Sequence, residues 1–207
     1  MKKISEPSFT EECAPSTIKK ELDEKRTDNC AFMDEDCTLS LNMHEYFECT
    51  FTRITFHGDM NKMEFADVIF EHCDLSNIEM QECVFRRVIF RHCRLMGCDM
   101  SSCQFHDVVM DSCQGGYLNL NGANLHDVAV KECVFTEASF AMMKIKDFRI
   151  EECDFTSSEW MDTKLKDLDF SDSIIDGIAV NPENLRGVIV NSEQAVAMAK
   201  LLGICIK

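Results

Sequence analysis

The sequence predicts an all-β solenoid that ends in a short C-terminal helix. Three observations predict it. First, nearly every fifth residue from Phe65 to Val180 is apolar: Phe65, Phe70, Leu75, Met80, Phe85, Phe90, Leu95, Met100, Phe105 and Met110, then, past Gly115, a second series from Leu120 to Val180. Second, a small or apolar side chain, most often Cys, Ala or Val, sits two residues before each of them. Third, a period of five suits neither regular element. Five helical residues advance about 500°, which smears the apolar positions around the surface. In a strand the side-chain period is two, so the apolar residue would flip face at every unit. The pattern closes only if the backbone turns after each five-residue unit and the chain coils around its own apolar axis.

The units Cys73-Asp74-Leu75-Ser76-Asn77, Ala123-Asn124-Leu125-His126-Asp127 and Cys153-Asp154-Phe155-Thr156-Ser157 resemble pentapeptide repeats. The resemblance covers roughly residues 37 to 190. It implies a right-handed quadrilateral β-helix with four units per coil, so that residues twenty apart stack. The columns expected at the core then include Phe85, Phe105 and Leu125, next Phe135, Phe155 and Ile175, and a thiol column with Cys113, Cys133 and Cys153. The segment Asn181-Pro182-Glu183-Asn184-Leu185-Arg186-Gly187-Val188, followed by Ser192-Glu193-Gln194-Ala195, resembles the end of Qnr-type quinolone-resistance proteins. It is most similar to the chromosomal Qnr-like proteins of Gram-positive bacteria.

Along the chain, residues 1–29 are charged and lack the rhythm, and read as an N-terminal cap or a partly disordered segment. Within them Ile18 to Arg26 reads as a short capping helix. Residues 30–190 form the repeat region. Leu41, Tyr46, Phe51 and Phe56 keep the period, but Phe56 to Met60 is a step of four, which places a register slip or tight turn at His57-Gly58-Asp59. Gly115 stands where a large apolar side chain is expected. A cavity, an inward-leaning Tyr117 or an inward backbone would each compensate, and local repacking is favoured over a ligand pocket. Residues 191–207 form the C-terminal helix and dimerisation segment, with Ser192 as N-cap, a helix over 193–202 and Gly203 as its stop. The resemblance implies a homodimer through this end, and Val196, Met198, Ala199, Leu202, Ile204 and Ile206 are the expected interface.

Composition narrows the function. A formal charge of −16 argues against nucleic-acid binding by attraction to phosphates and against an anionic membrane surface, but permits a basic protein partner. No apolar run approaches the roughly 20 residues of a membrane span, and residues 1–6 lack the apolar stretch of a signal peptide, so the expected location is cytoplasmic. The 13 cysteines are odd in number and follow the repeat rather than a C-x-x-C spacing. They read as small reduced core residues rather than as disulfides, a zinc site or a redox ladder. His72 with His92, and His106 with His126, are spaced to stack, and read as surface pairs rather than metal ligands. No phosphate loop, nucleophile elbow or H-E-x-x-H is present, so neither an enzyme nor a cofactor is expected.

The acids concentrate near the C-terminal end. Residues 151–186 hold ten acids and three bases, a net of −7, whereas residues 66–150 hold twelve acids and eight bases, a net of −4. At the usual strand spacing of about 4.8 Å, the repeat region makes a rod of roughly 36 Å. A dimer of about 72 Å would then carry one charge per ~2.3 Å, against ≈ 1.7 Å of axis per charge in duplex DNA. Two acidic columns are expected on the outer walls, Asp127, Asp147 and Asp167 on one and Glu132, Glu152 and Asp172 on the next, with Glu151 and Asp169 beside them. Stacked aspartates about 5 Å apart repel by under ~1 kcal/mol in water, which makes such columns tolerable. The resemblance implies a DNA mimic that binds DNA gyrase and topoisomerase IV and protects them from quinolones. The alternative is a structural or scaffolding repeat protein with a different protein partner, favoured by a basic patch at Arg86, Arg87, Arg91 and Arg94. No long insertion interrupts the repeat, unlike relatives that carry projecting loops.

Overall fold

The computed structural model describes residues 3–18 and 25–205, with the backbone alone at 39–42. The repeat region folds as a parallel β-solenoid. Strands β7 (Glu64–Glu71), β8 (Val84–Arg91), β9 (Gln104–Asp111), β10 (Asn124–Lys131) and β11 (Lys144–Glu151) stack in that order. Phe65 pairs with Phe85, Phe85 with Phe105, and Leu125 with Ile145, so each coil takes twenty residues. The backbone enters the left-handed region at Asp67, His72, Asn77 and Glu82, then again at Arg87. One such corner every five residues makes four per coil, which squares the cross-section. Each strand crosses one corner and lines two walls. The other two walls are held by bridges such as Asp74 to Arg94 and Glu79 to Asp99. A left-handed residue costs roughly 1–2 kcal/mol without glycine, and Asp and Asn tolerate it best, which suits the Asp67, Asp107, Asp127, Asp147 and Asp167 corners.

The N-terminal coils are one residue shorter. β3 (Cys30–Met33), β5 (Glu45–Thr52) and β7 pair at nineteen, as Ala31 with Thr50 and Glu45 with Glu64. The missing residue lies on the wall formed by β4 (Asp36–Asn42) and β6 (Thr55–Asn61), which pair with each other. The expected slip is thus in place, but as a continuous strand rather than a tight turn, with Gly58 at φ 93°. The sequence reading missed that the preceding coil is shortened on the same wall, so that Leu39 meets Gly58 and the two defects compensate. Of the expected helix from Ile18 to Arg26, residues 19–24 lie outside the described residues. Its last residue belongs instead to a strand, β2 (Arg26–Asp28), which pairs with β5.

The core runs down the axis. Every predicted core residue is buried: Phe85, Phe105, Leu125, Phe135, Phe155, Ile175, Cys113, Cys133 and Cys153. Ring centroids of Phe70 and Phe90 lie 4.9 Å apart and 4° from parallel, at the strand spacing itself. Phe135 stacks on Phe155 at 5.5 Å, as the column requires. Burying each such side chain contributes about 1.5–3 kcal/mol. Tyr117 does not lean into the space left by Gly115. It is exposed, and its hydroxyl donates to Glu137 at 2.7 Å. The Phe135 ring fills the gap from the next coil, so close that a Cβ at Gly115 would stand 2.7 Å from Cδ1.

The C-terminal helix spans Ser192–Leu201, and its cap is Asn191 rather than Ser192. Asn191 Oδ1 accepts from the Glu193 and Gln194 N–H groups, while Gln194 Oε1 accepts from the Asn191 N–H, a reciprocal cap that Ser192 is one residue too late to make. Gln194 and Met198 close the end of the rod. The Gln194 Nε2 donates to the carbonyls of Phe170 (2.8 Å) and Ser173 (2.6 Å) of the last coil. Among the described residues no helix is long and apolar enough to cross a membrane.

Candidate functional site

The outer surface is built on the corners. One corner carries Glu48, Asp67, Arg87, Asp107, Asp127, Asp147 and Asp167 in successive coils. Its N-terminal part is covered by an extended segment of residues 3–13, which runs along the rod axis. The Ser5 N–H donates to Asp107 (2.9 Å), the Ser8 N–H to Asp67 (3.0 Å), and the Thr10 N–H and hydroxyl to Glu48 (2.7 Å each). The Cys13 thiol donates to the Glu48 carbonyl, and Ala14 pairs with Cys30 to join the first coil. Two coils span about 9.6 Å and three extended residues about 10 Å, so the strap matches the coil rise between Asp107 and Asp67. Ile4 is buried at its far end. The reading of residues 1–29 as cap or disorder missed this strap. Its signal was a set of corner acids, and Ser5, Ser8 and Thr10, without assigned partners.

Burial works against the charged form of Asp67, but the Arg87 guanidinium and the Ser8 N–H outweigh it and hold the carboxyl below the usual range. The rest of the basic patch is matched in the same way. Arg86 pairs with Glu64, Arg91 with Glu71, and Arg94 lies 3.7 Å from Asp74. The bases of this patch are therefore each matched by a carboxylate of the coil before.

The predicted acids divide into two groups. Asp127 is buried beside His126, whose Nδ1 lies 3.0 Å away, and does not face outward freely. Asp147 is exposed with Arg149 at 3.6 Å, as is Asp167 with Lys166 at 3.7 Å. Glu132, Glu151, Glu152, Asp169 and Asp172 are outward, with Lys131 near both Glu132 (3.6 Å) and Glu151 (3.8 Å). The Ser171 hydroxyl and N–H hold Asp169 below the usual carboxylate range. Glu132 and Glu152 lie in adjoining coils joined by a bond from the Glu132 N–H to the Glu151 carbonyl. The ladder breaks beyond this point. No backbone bond joins β11 to residues 164–171, so Asp147 with Asp167, and Glu152 with Asp172, are not held in a paired ladder.

At the C-terminal end Val196, Leu202 and Ile204 are exposed and Ala199 is half-buried. Met198 is turned into its own core, and Ile206 lies outside the described residues. The histidines do stack, His72 on His92 at 4.9 Å and His106 on His126 at 4.4 Å. Among the described residues no group of three or more His, Cys, Asp or Glu is placed to hold a metal ion. Most thiols point inward and donate to carbonyls, as Cys113 does to Phe90 (3.4 Å) and Cys133 to Met110 (3.4 Å).

These features define a class, a four-sided solenoid of five-residue units with charged walls. Residues 63–140 match the family described as Pentapeptide repeat region. No curated protein sequence matches it. Among solved structures it is similar to full-length QnrB1, a plasmid-mediated fluoroquinolone resistance protein, at 16% identity over 84% of this chain and 100% of that one, with a TM-score of 0.35. It is also similar to HetL, a protein of heterocyst differentiation regulation from Nostoc sp. strain PCC 7120, at 10% identity over 81% and 90%, with a TM-score of 0.49. A third is Rfr23 from the cyanobacterium Cyanothece 51142, at 10% identity over 83% and 96%, with a TM-score of 0.31.

Proposed function

We propose that the protein is a non-enzymatic, cytoplasmic DNA mimic that binds DNA gyrase, and topoisomerase IV, and protects them from quinolones. The observation that carries this reading is the outward acidic wall at Glu132, Glu151, Glu152, Asp167, Asp169 and Asp172. The Qnr-like C-terminal segment supports it. Two copies would join through the exposed Val196, Leu202 and Ile204, bringing two such walls together at the centre of the rod. Carboxylates in this arrangement replace phosphates against a basic saddle, and such contacts weaken steeply with salt. Asp127 contributes through the corner it buries rather than by direct contact. A supercoiling assay tests the reading: at low salt the purified protein should slow gyrase when abundant and partly restore its activity in a quinolone when scarce. A protein that neither binds gyrase nor shifts its quinolone response overturns it.

The alternative, a scaffold for a partner other than a topoisomerase, is favoured by one observation. Arg86, Arg87, Arg91 and Arg94 are each matched to a carboxylate one coil back, which leaves that coil less acidic than a DNA mimic requires. Pull-down from lysate separates the two, since only the first returns gyrase subunits.

A further inference from the structure

β11 is the last strand of the nine-stranded sheet. β10 pairs with it along its length, from Asn124 with Lys144 to Lys131 with Glu151. On its other side the next coil, residues 164–171, forms no strand and makes no backbone hydrogen bond to it. The coils rejoin at both ends of this gap, where the Met142 N–H reaches the Met161 carbonyl (2.8 Å) and the Cys153 N–H reaches Ser173 Oγ (3.1 Å). They also remain bridged on the remaining walls, Asp154 to Ile174 and Glu159 to Ala179. The seam is therefore open over two walls and shut elsewhere.

The open edge is chemically unsatisfied. One coil later the same wall positions, Leu165, Asp167 and Phe170, donate their N–H groups to Asn184, Gly187 and Ile189. By repeat position the N–H groups of Ile145, Asp147 and Ile150 aim at residues 164–171, where no backbone acceptor meets them. Ile145 and Ile150 are only half-buried, whereas Leu125 and Val130 above them are 4% and 3% exposed. A groove of about 920 Å³ runs along the seam, floored by Ile145, Phe148, Ile150 and Leu168. The charge pattern across it is repulsive. Positions that would face each other are Lys144 with Lys164, Lys146 with Lys166, Asp147 with Asp167 and Glu152 with Asp172. Like charges directly opposite destabilise a ladder, and here four such rungs fall on one seam.

We propose that this seam docks an extended peptide of a protein partner, which adds a parallel strand to β11. The charge pattern names its chemistry. Lys164 and Lys166 line the first half of the groove, with Lys144 and Lys146 beside it on β11, and Glu151, Asp169 and Asp172 line the second. The peptide is therefore acidic in its first half and basic at its end, with apolar residues opposite Ile145 and Ile150. Main-chain bonds to the open edge supply affinity, and the peptide sets charge of the opposite sign beside the lysines and carboxylates of the seam. Every other ladder in the solenoid is parallel, and the same direction follows here. This docking mode does not depend on the topoisomerase reading.

The test uses a labelled peptide, EIENVTVK, titrated with the full chain in low salt and followed by fluorescence anisotropy. Its charge-swapped counterpart, KIKNVTVE, is the control. The first should bind about tenfold more tightly or better, and Lys144→Glu with Lys146→Glu should abolish that binding. Equal binding of the two peptides, no binding of either, or full binding by the double variant overturns the proposal. Amide hydrogen exchange gives a second readout that no variant can confound. Ile145, Asp147 and Ile150 should exchange fast in the free chain and slow down with EIENVTVK present. Slow exchange at these amides in the free chain overturns the open edge itself. The assay contains no topoisomerase, so its failure leaves the gyrase reading untouched.

Discussion

Gly115 and Phe135 occupy one packing position between them: the ring of the second fills the volume that the missing side chain of the first vacates, and Cδ1 and Cε1 stand 2.7 and 2.9 Å from where a Cβ would be. Restoring the apolar residue that the repeat calls for therefore does harm. Gly115→Leu should lower stability by about 1–3 kcal/mol through overpacking. Combining it with Phe135→Leu should recover part of the loss, and denaturant unfolding of the single and double variants checks this.

Asp67 is the most tightly held carboxylate of the covered corner, with Arg87 Nε 2.7 Å from Oδ1. Its folded pKa lies below the unfolded value, so its contribution to stability is full above an unfolded pKa of about 3.9 and is lost as pH falls through the folded one. Asp67→Asn should lower stability near neutral pH by about 2 kcal/mol. It should also flatten the decline below about pH 4, as read from thermal unfolding across a pH series.

The strap depends on backbone donors. Ser8→Pro removes the N–H that reaches Asp67 while leaving the chain length unchanged. Limited proteolysis should then cut within residues 3–13 before the rod. Equal resistance of variant and parent would show that the strap is held by other contacts.

Thiol reactivity should follow depth. Burial pushes the Cys49 thiol up to about 12, and Cys37 likewise, so both stay protonated at neutral pH. Cys205 is exposed, and Cys13 and Cys30 are partly so. Iodoacetamide on the native chain should label Cys205 first and leave Cys73, Cys93, Cys113, Cys133 and Cys153 untouched until the rod is unfolded, as peptide mapping would show.

The end plug is the fourth local device. Gln194→Ala removes the side-chain donor shared by the carbonyls of Phe170 and Ser173 and undoes half of the reciprocal cap. A loss of about 1–3 kcal/mol is expected, measured by chemical unfolding.

The core was legible in the sequence because one residue type recurs at one spacing, and Phe65, Phe85 and Phe105 each state the register independently. The wall chemistry was less so. Like-charge stacking at Asp147 and Asp167 was visible and was judged tolerable one pair at a time. Lys146 and Lys166 read as neutralising the neighbouring aspartates, whereas with Lys144 and Lys164 they also face each other across the seam that lacks ladder bonds. Residues 3–13 were illegible for a different reason. Their partners Glu48, Asp67 and Asp107 lie far off in sequence, and no period links Ser5, Ser8 and Thr10 to a corner in the coil. The helix cap was misplaced by one residue because Asn191 and Ser192 are both good caps, and only the Gln194 side chain decides between them.

The bond from Ser5 to Asp107 spans 102 positions, which fixes an order of events during synthesis. Residues 3–13 leave the ribosome before any of the corners they clasp has been made. At translation rates of about 5–20 residues per second, Ser5 waits roughly 5–20 s for its acceptor. The strap thus docks in full only once the coil carrying Asp107 exists, and in the interval the growing rod carries its corner acids bare.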